Sequence, residues 1–249
     1  MKYLIDTHCH TVASGHAYST ILELAKEANN KGLEMIAITD HGPKMPGGPH
    51  IYHFGNLKVI PSKICGVEIL RGVEANIMDT EGNVDLPEYV LEKLDLVLAS
   101  LHEGCFDPGN QEHNTKALIK AMENKYVDII AHPGNPVYPI NKEEFVKKAK
   151  ETNTLIEINN SSFIKSRKGS REHCIEIANL CKKYGVKVIA GSDCHISFDV
   201  GRFDKVIEVL NEIDMPAERI MNLSPKEFKE YLKSKGKIRF MDKEQIAEI

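Results

Sequence analysis

The sequence has no tryptophan, no CxxC pair, no long apolar run and no excess of basic charge. Each absence excludes something. No apolar stretch approaches the ~18–20 residues that a membrane-spanning helix needs, so a transmembrane chain is not expected. The opening residues MKYLIDTHCH carry neither a long apolar core nor a small-residue cleavage site, so a signal peptide is not expected. The six cysteines, Cys9, Cys65, Cys105, Cys174, Cys181 and Cys194, form no dense framework. Reduced thiols and a cytoplasmic location are therefore the expectation. A net charge of -4 gives no general attraction to nucleic acid. No linker, repeat or low-complexity segment divides the chain, so residues 1–249 are read as a single domain, long enough for a sizeable core.

What the chain does have is eleven histidines, and many of them stand where apolar runs end. Asp6-Thr7-His8-Cys9-His10 closes the run Tyr3-Leu4-Ile5. Residues two apart on a strand share a face, so His8 and His10 are expected to project into one space with Cys9 turned away. Ser19 or Thr20 is placed to cap a helix whose apolar stripe is Ile21, Leu22, Leu24, Ala25 and Ala28. The continuous apolar run 35–39 reads as a strand buried on both faces, and it stops at Asp40-His41-Gly42. Residues 43–61, rich in proline and glycine, read as one long loop of the kind that often serves as a lid.

Further strands are read at 69–75, 94–101, 127–131, 154–158 and 186–190, with helices at 87–91, 112–124, 142–150, 172–184 after a loop at 165–171, 205–213 and 224–235. Strand and helix thus alternate about seven times, which predicts a parallel sheet with crossover helices. His8, His10, His41, Glu74, His102, His132, Asp193 and His195 all fall at strand ends. An open sheet would leave its outer strand ends far apart. A closed α/β barrel brings them to one rim, at the C-terminal ends of the strands, and is the expected fold.

With His16 from the first loop, nine potential ligands converge. One zinc ion uses about four, so nine suit two or three metals, especially if Glu74 bridges two of them. Glu74 and Asp193, the only carboxylates among the nine, are the expected catalytic residues. Arg167, Lys168 and Arg171 follow the one strand that supplies no ligand. Arg167 and Arg171, and also Arg202 beyond the last ligand motif, are candidates for gripping a phosphate, which arginine binds bidentately. Asp6 and Asp40 are candidates for orienting ligand imidazoles. His50 and His53 are expected at the surface or entrance of the long loop.

The motifs Asp6-Thr7-His8-Cys9-His10-Thr11, Thr39-Asp40-His41, Gly72-Val73-Glu74, Ser100-Leu101-His102, Ala131-His132-Pro133 and Gly191-Ser192-Asp193-Cys194-His195 resemble those of the PHP (polymerase and histidinol phosphatase) superfamily. Within it, the chain is most similar to the short stand-alone YcdX-type phosphatases. The resemblance implies a distorted seven-stranded (β/α) barrel, TIM-like, with a trinuclear cluster of divalent metal ions, commonly Zn2+, with Mn2+ or Fe2+ in some members. It implies that His8, His10, Glu74 and Asp193 hold one metal, that Glu74, His102 and His132 hold the second, and that His16, His41 and His195 hold the third.

The implied activity is hydrolysis of a phosphomonoester of a small molecule by a metal-activated hydroxide. Charge supports it independently. Three divalent cations and only two carboxylates leave a positive cavity, suited to hydroxide and phosphate. A nucleotide phosphoesterase or 3′–5′ exonuclease is the alternative enzyme, and a non-catalytic metal-binding accessory module the alternative of another class. The expected partner is a small phosphorylated substrate rather than nucleic acid or membrane, and a homo-oligomer is left open. Elemental analysis of protein purified without chelator should find more than two equivalents of transition metal. One equivalent in fully loaded, active protein would rule out the trinuclear arrangement.

Overall fold

The apolar runs that end in histidines and acids become parallel strands. The computed structural model describes residues 1–164 and 166–242. Its strands are β1 (Ile5–Cys9), β2 (Met35–Ile38), β3 (Lys63–Ile64), β4 (Val67–Asn76), β5 (Leu96–Ser100), β6 (Ile129–Ile130), β7 (Leu155–Asn159) and β8 (Val188–Gly191). Seven of them run parallel in the order β1-β2-β4-β5-β6-β7-β8, with β3 pairing antiparallel to the start of β4. The result is a nearly closed barrel, as the strand-end pattern required.

Two apolar layers hold it. Alternate strand residues, among them Ile5, Met35, Ala37, Leu70, Leu96, Leu98, Ile129, Leu155 and Ile189, fill the interior. The intervening residues pack outward against the helices α1 (Ile21–Asn30), α4 (Gln111–Glu123), α5 (Lys142–Glu151), α6 (Ser170–Tyr184) and α7 (Asp204–Glu212), with the short α2 (Ile51–Asn56) and α3 (Glu88–Leu91) beside them. The last helix, α8 (Pro225–Ser234), crosses the lower end of the barrel. Its Phe228, Tyr231 and Leu232 join the interior layer, each worth about 1.5–3 kcal/mol of apolar burial. The Tyr231 hydroxyl donates to Asp128 O at 2.6 Å, so the plug is also hydrogen-bonded to the strand start above it.

Helix starts follow the side chains available. Thr20 and Glu23 form a reciprocal capping box on α1, and Asn110, Asn141 and Ser224 cap α4, α5 and α8. One expectation needs correcting. Residues 43–61 are not a single loop, because α2 lies within them, started by the His50 ring, which accepts from Tyr52 N–H at 3.2 Å. The glycines and prolines on either side conceal so short a helix in the sequence. Lys165, the first residue of the basic loop, and residues 243–249 of the expected single domain lie outside the described residues.

The seam between β1 and β8 is the weakest part of the barrel wall. One parallel bridge joins Cys9 to Cys194, with His10 N–H donating to Cys194 O at 3.0 Å and Cys194 N–H to His8 O at 3.3 Å. Below it, the fully buried Asn222 side chain substitutes for a ladder. Its Nδ2 donates to Ile5 O (2.9 Å) and Ala190 O (2.8 Å), and its Oδ1 accepts from Ala190 N–H (2.7 Å). Truncation would strand these buried backbone groups, at about 1–3 kcal/mol each. Asn222→Ala should therefore lower the unfolding free energy by about 3 kcal/mol or more in urea denaturation. A loss below about 1 kcal/mol would show that the seam does not depend on this amide.

Candidate metal centre

Eight of the nine candidate ligands lie at the upper ends of six strands, His8 and Glu74 within them and the rest just beyond, and their side chains follow the pleat only in part. Glu74 is in phase with Leu70 of β4, His41 with Met35 and Ala37 of β2, and His102 with Leu96 and Leu98 of β5, so simple alternation turns them inward. His8 is three residues from the inward-facing Ile5, and a regular strand would turn it out. A bulge between Asp6 and Cys9, where the β1–β2 register shifts, restores it to the interior. His132 follows the inward-facing Ala131. Its φ of +33° turns the backbone back, so that this side chain too meets Glu74.

Glu74 sits at the centre, fully buried. Its Oε1 lies 2.7 Å from His132 Nε2 and 3.1 Å from His102 Nε2. Its Oε2 lies 2.8 Å from His41 Nδ1, 3.3 Å from His8 Nε2 and 3.5 Å from His10 Nε2. Asp193 Oδ1 forms the far wall, 3.3 Å from His10 Nε2 and 3.6 Å from both His8 Nε2 and His195 Nδ1. At the mouth, His195 Nε2 and the exposed His16 Nε2 are 3.0 Å apart. All nine residues singled out in the sequence therefore meet in one place, deepest at Glu74 and shallowest at His16.

This donor set fits divalent metal ions. His8 Nε2, His10 Nε2, His41 Nδ1 and Glu74 Oε2 are buried without a hydrogen-bond partner among the described residues. They face one another rather than solvent, an arrangement that is costly unless a cation lies between them. The partners on the other ring atoms agree. His10 Nδ1 donates to Ser14 Oγ (3.1 Å), whose own hydroxyl donates to Asp40 (2.6 Å). His102 Nδ1 donates to Asn76 Oδ1 (2.7 Å), and His195 Nδ1 to Asp193 O (3.0 Å). Each bond leaves the Nε2 lone pair free to ligate.

Asp40 thus steadies an imidazole through Ser14, and its Oδ2 also lies 3.3 Å from His53 Nε2. That contact draws His53 inward from the surface position expected for it. Asp6 takes the other role open to an acid at a strand end, hydrogen bonding to backbone. It accepts the backbone N–H groups of Ser192 (3.1 Å), Gly201 (2.8 Å) and His8 (3.3 Å) and orients no imidazole.

A family model described as the PHP domain matches residues 6–169. The chain belongs to the PHP domain family. A relative from Caldanaerobacter subterraneus, named a probable phosphatase, is 61% identical over 238 residues, covering 95% of this chain and 94% of its own. A solved histidinol phosphate phosphatase from Lactococcus lactis, complexed with zinc, L-histidinol and phosphate, shares the fold with a TM-score of 0.60. Its identity is 17%, and the match covers 85% of this chain and 94% of that one. A chain of an archaeal ribonuclease P bound to mature tRNA superposes equally well, with a TM-score of 0.61 at 14% identity and coverage of 93% and 90%. The fold alone therefore does not separate these chemistries.

The electrostatics of this PHP site follow from its packing. Burial works against ionising Glu74, but His102, His8 and His41 around it hold its carboxyl well below the usual range. Asp193 is likewise held well below that range, with His8 and Arg167 overcoming burial. Burial and the neighbouring His41 push His10 down to about 3, and burial with Arg167 pushes His132 down to about 4. Both rings are then neutral near pH 7, the form that binds metal.

Of the three candidate arginines, the structure brings Arg167 to the ligands. Its Nη2 donates to Asp193 Oδ2 at 3.0 Å and its Nη1 to Ser162 Oγ at 3.1 Å. Arg171, in the first turn of α6, instead reaches Glu212 (3.1 Å) on α7 and is exposed. Arg202 is held between Asp199 (3.3 Å) and Asp204 (3.2 Å). Neither lines the cavity, because acidic side chains nearby capture both. β7 supplies none of the nine candidate ligands, as expected, but it does carry a residue that the sequence reading passed over. It supplies a buried carboxylate, Glu157, whose Oε1 is 2.7 Å from His8 Nδ1. The signal was there, a lone acid inside the apolar run Leu155-Ile156-Glu157-Ile158, two residues before Asn159.

Zinc titrated into chelator-treated protein should raise Tm by about 5–10 °C at saturating excess, since metal binds only the folded site. Glu74→Gln keeps the size and removes the charge. It should lose at least one equivalent of metal and most of that rise, with far-UV circular dichroism unchanged. A Tm indifferent to zinc in the parent protein would leave the donor set without its cation.

Proposed function

We propose that this chain is a metal-dependent phosphatase that hydrolyses a phosphomonoester of a small molecule at a trinuclear site. The observation that carries the reading is the cluster of buried lone pairs around Glu74, with Arg167 beside it at the cavity wall. The high identity to relatives named probable phosphatases supports the same activity. His8, His10, Glu74 and Asp193 would hold one ion, Glu74, His102 and His132 a second, and His16, His41 and His195 a third. The distances support Glu74 as the shared ligand, because its two oxygens face different groups of histidines. When bound, such ions supply Lewis acidity and a nucleophile at neutral pH, and zinc suits the histidine-rich donor set.

The protein's own groups do the rest. Glu74 and Asp193 keep their negative charge at the base of the cavity and so retain the cations. Arg167 uses one Nη2 proton on Asp193 and one Nη1 proton on Ser162. Guanidinium has five N–H donors in a fixed fork, so others remain for phosphate oxygens on the outer side. Asp193 and Ser162 hold that fork in place before substrate arrives, which reduces the ordering needed in the transition state.

The cavity, about 500 Å³, is lined by Tyr18, Met45 and Ile196 as well as by His16, His41, His102, Asp193 and His195. That volume suits a small phosphorylated molecule. A larger cavity of about 800 Å³ lies against α2 and Tyr89. It contains none of the nine ligands and is not the proposed site. Among the described residues no helix is long and apolar enough to cross a membrane.

A screen of phosphomonoesters on metal-replete protein, with and without chelator, tests the activity, and turnover that survives complete metal removal would refute it. Arg167→Ala should lower kcat/KM by roughly 10²–10³ with metal content unchanged, since guanidinium is no ligand. Turnover within about twofold of the parent would remove Arg167 from substrate binding.

A further inference from the structure

Glu157 stands in the middle of β7 with its side chain turned into the barrel and essentially no exposure. Its partners lie on β1, on the segment after β6 and on β7 itself. Oε1 meets His8 Nδ1 at 2.7 Å, and Oε2 accepts the backbone N–H of His132 at 2.8 Å and Asn159 Nδ2 at 3.0 Å. Space for the carboxylate is left by Gly191 on β8, where a Cβ would lie 1.9 Å from Glu157 Oε1 and 3.0 Å from His8 Cβ. A glycine on one strand and an acid on the next are thus fitted to each other.

Two consequences follow. Glu157 Oε2 already accepts two N–H groups, and with Oε1 accepting as well the His8 ring donates from Nδ1. Nε2 is then the ring atom that faces the site, 3.3 Å from Glu74 and 3.6 Å from Asp193. His132, for its part, owes its inward aim to a left-handed backbone that a residue other than glycine seldom adopts. The bond from its N–H to Oε2 holds that turn.

We infer that Glu157 is a positioning residue of the metal site, fixing the tautomer of His8 and the backbone turn of His132 with one carboxylate. The inference rests on the metal reading proposed above. It concerns a residue that contacts two of the nine ligands and is not itself one of them.

Glu157→Gln tests it, because an amide cannot satisfy both sides. With its oxygen toward His8, its NH2 faces two donors, His132 N–H and Asn159 Nδ2. Reversed, its NH2 donates to His8 Nδ1 and forces the ring proton onto Nε2, where the metal should bind. Equilibrium competition against a chromophoric chelator should show zinc bound about 10–100-fold more weakly. The visible spectrum of the cobalt(II)-loaded protein should change as well.

Gly191→Ala is the second variant. Its methyl would meet the Glu157 carboxylate first, 1.9 Å from Oε1, and His8 Cβ only at 3.0 Å, so it should weaken zinc binding in the same direction chiefly by displacing the carboxylate. Near-UV circular dichroism of each metal-free variant reports whether it has folded, and either folded variant decides the matter. Zinc affinity within twofold of the parent, with an unchanged cobalt spectrum, would overturn the positioning role while leaving the metal site intact. A parent protein that binds no zinc would overturn the metal reading and this inference with it.

Discussion

Everything in this structure answers to one constraint: buried lone pairs must face each other around Glu74 without collapsing or flooding. Five histidine nitrogens lie within 3.5 Å of its two oxygens. Each buried polar atom left without a partner costs about 1–3 kcal/mol, so the metal-free arrangement has to be held by its surroundings. The surroundings are rigid for that reason. The nine residues come from seven segments of one barrel, and the second ring atoms of His10, His102 and His195 are each tied to a fixed acceptor.

The barrel supplies rigidity in layers. Apolar side chains fill the space beneath the candidate ligands, and Phe228, Tyr231 and Leu232 of α8 complete that layer from below. The seam between β1 and β8 is where this could fail, since β1 carries His8 and His10 and β8 leads directly to Asp193 and His195. Asn222 below and Asp6 beside the ligands bind the two strands together. Their hydrogen bonds hold a metal site at the closing point of the barrel, where the chain's first and last strands meet.

Function in turn follows from what is left unneutralised. Two carboxylates among nine candidate ligands would give a site that accepts anions with cations bound, and Arg167 adds a positive group at its wall. The same barrel occurs in a ribonuclease P chain and in a histidinol phosphate phosphatase. The ligand set and the cavity, rather than the fold, therefore carry the functional reading.

Much of this was legible in the sequence, because strand periodicity is local. Apolar runs ending in histidine or acid named the strands, and a common rim for their ends followed from the barrel. For Glu74, His41 and His102, alternation alone gave the inward direction. Other features depended on contacts between distant segments. Nothing in the sequence indicates the bulge that turns His8 inward or the left-handed φ that turns His132. Both are set by neighbouring strands against which the local chain must fit. Glu157 is an acid inside an apolar strand, and only the folded barrel brings Gly191, thirty-four residues later, to where it makes room for the carboxylate. Arg167, Arg171 and Arg202 were equivalent as basic residues after a strand. Only the packed structure separates them, because acids on α7 and its preceding loop hold two of them away while Asp193 holds the third at the site. The sequence determined which chemistry converges, since residue type and spacing are local properties. Tertiary structure decided which side chains reach it, because reach depends on competing partners brought close only by the fold.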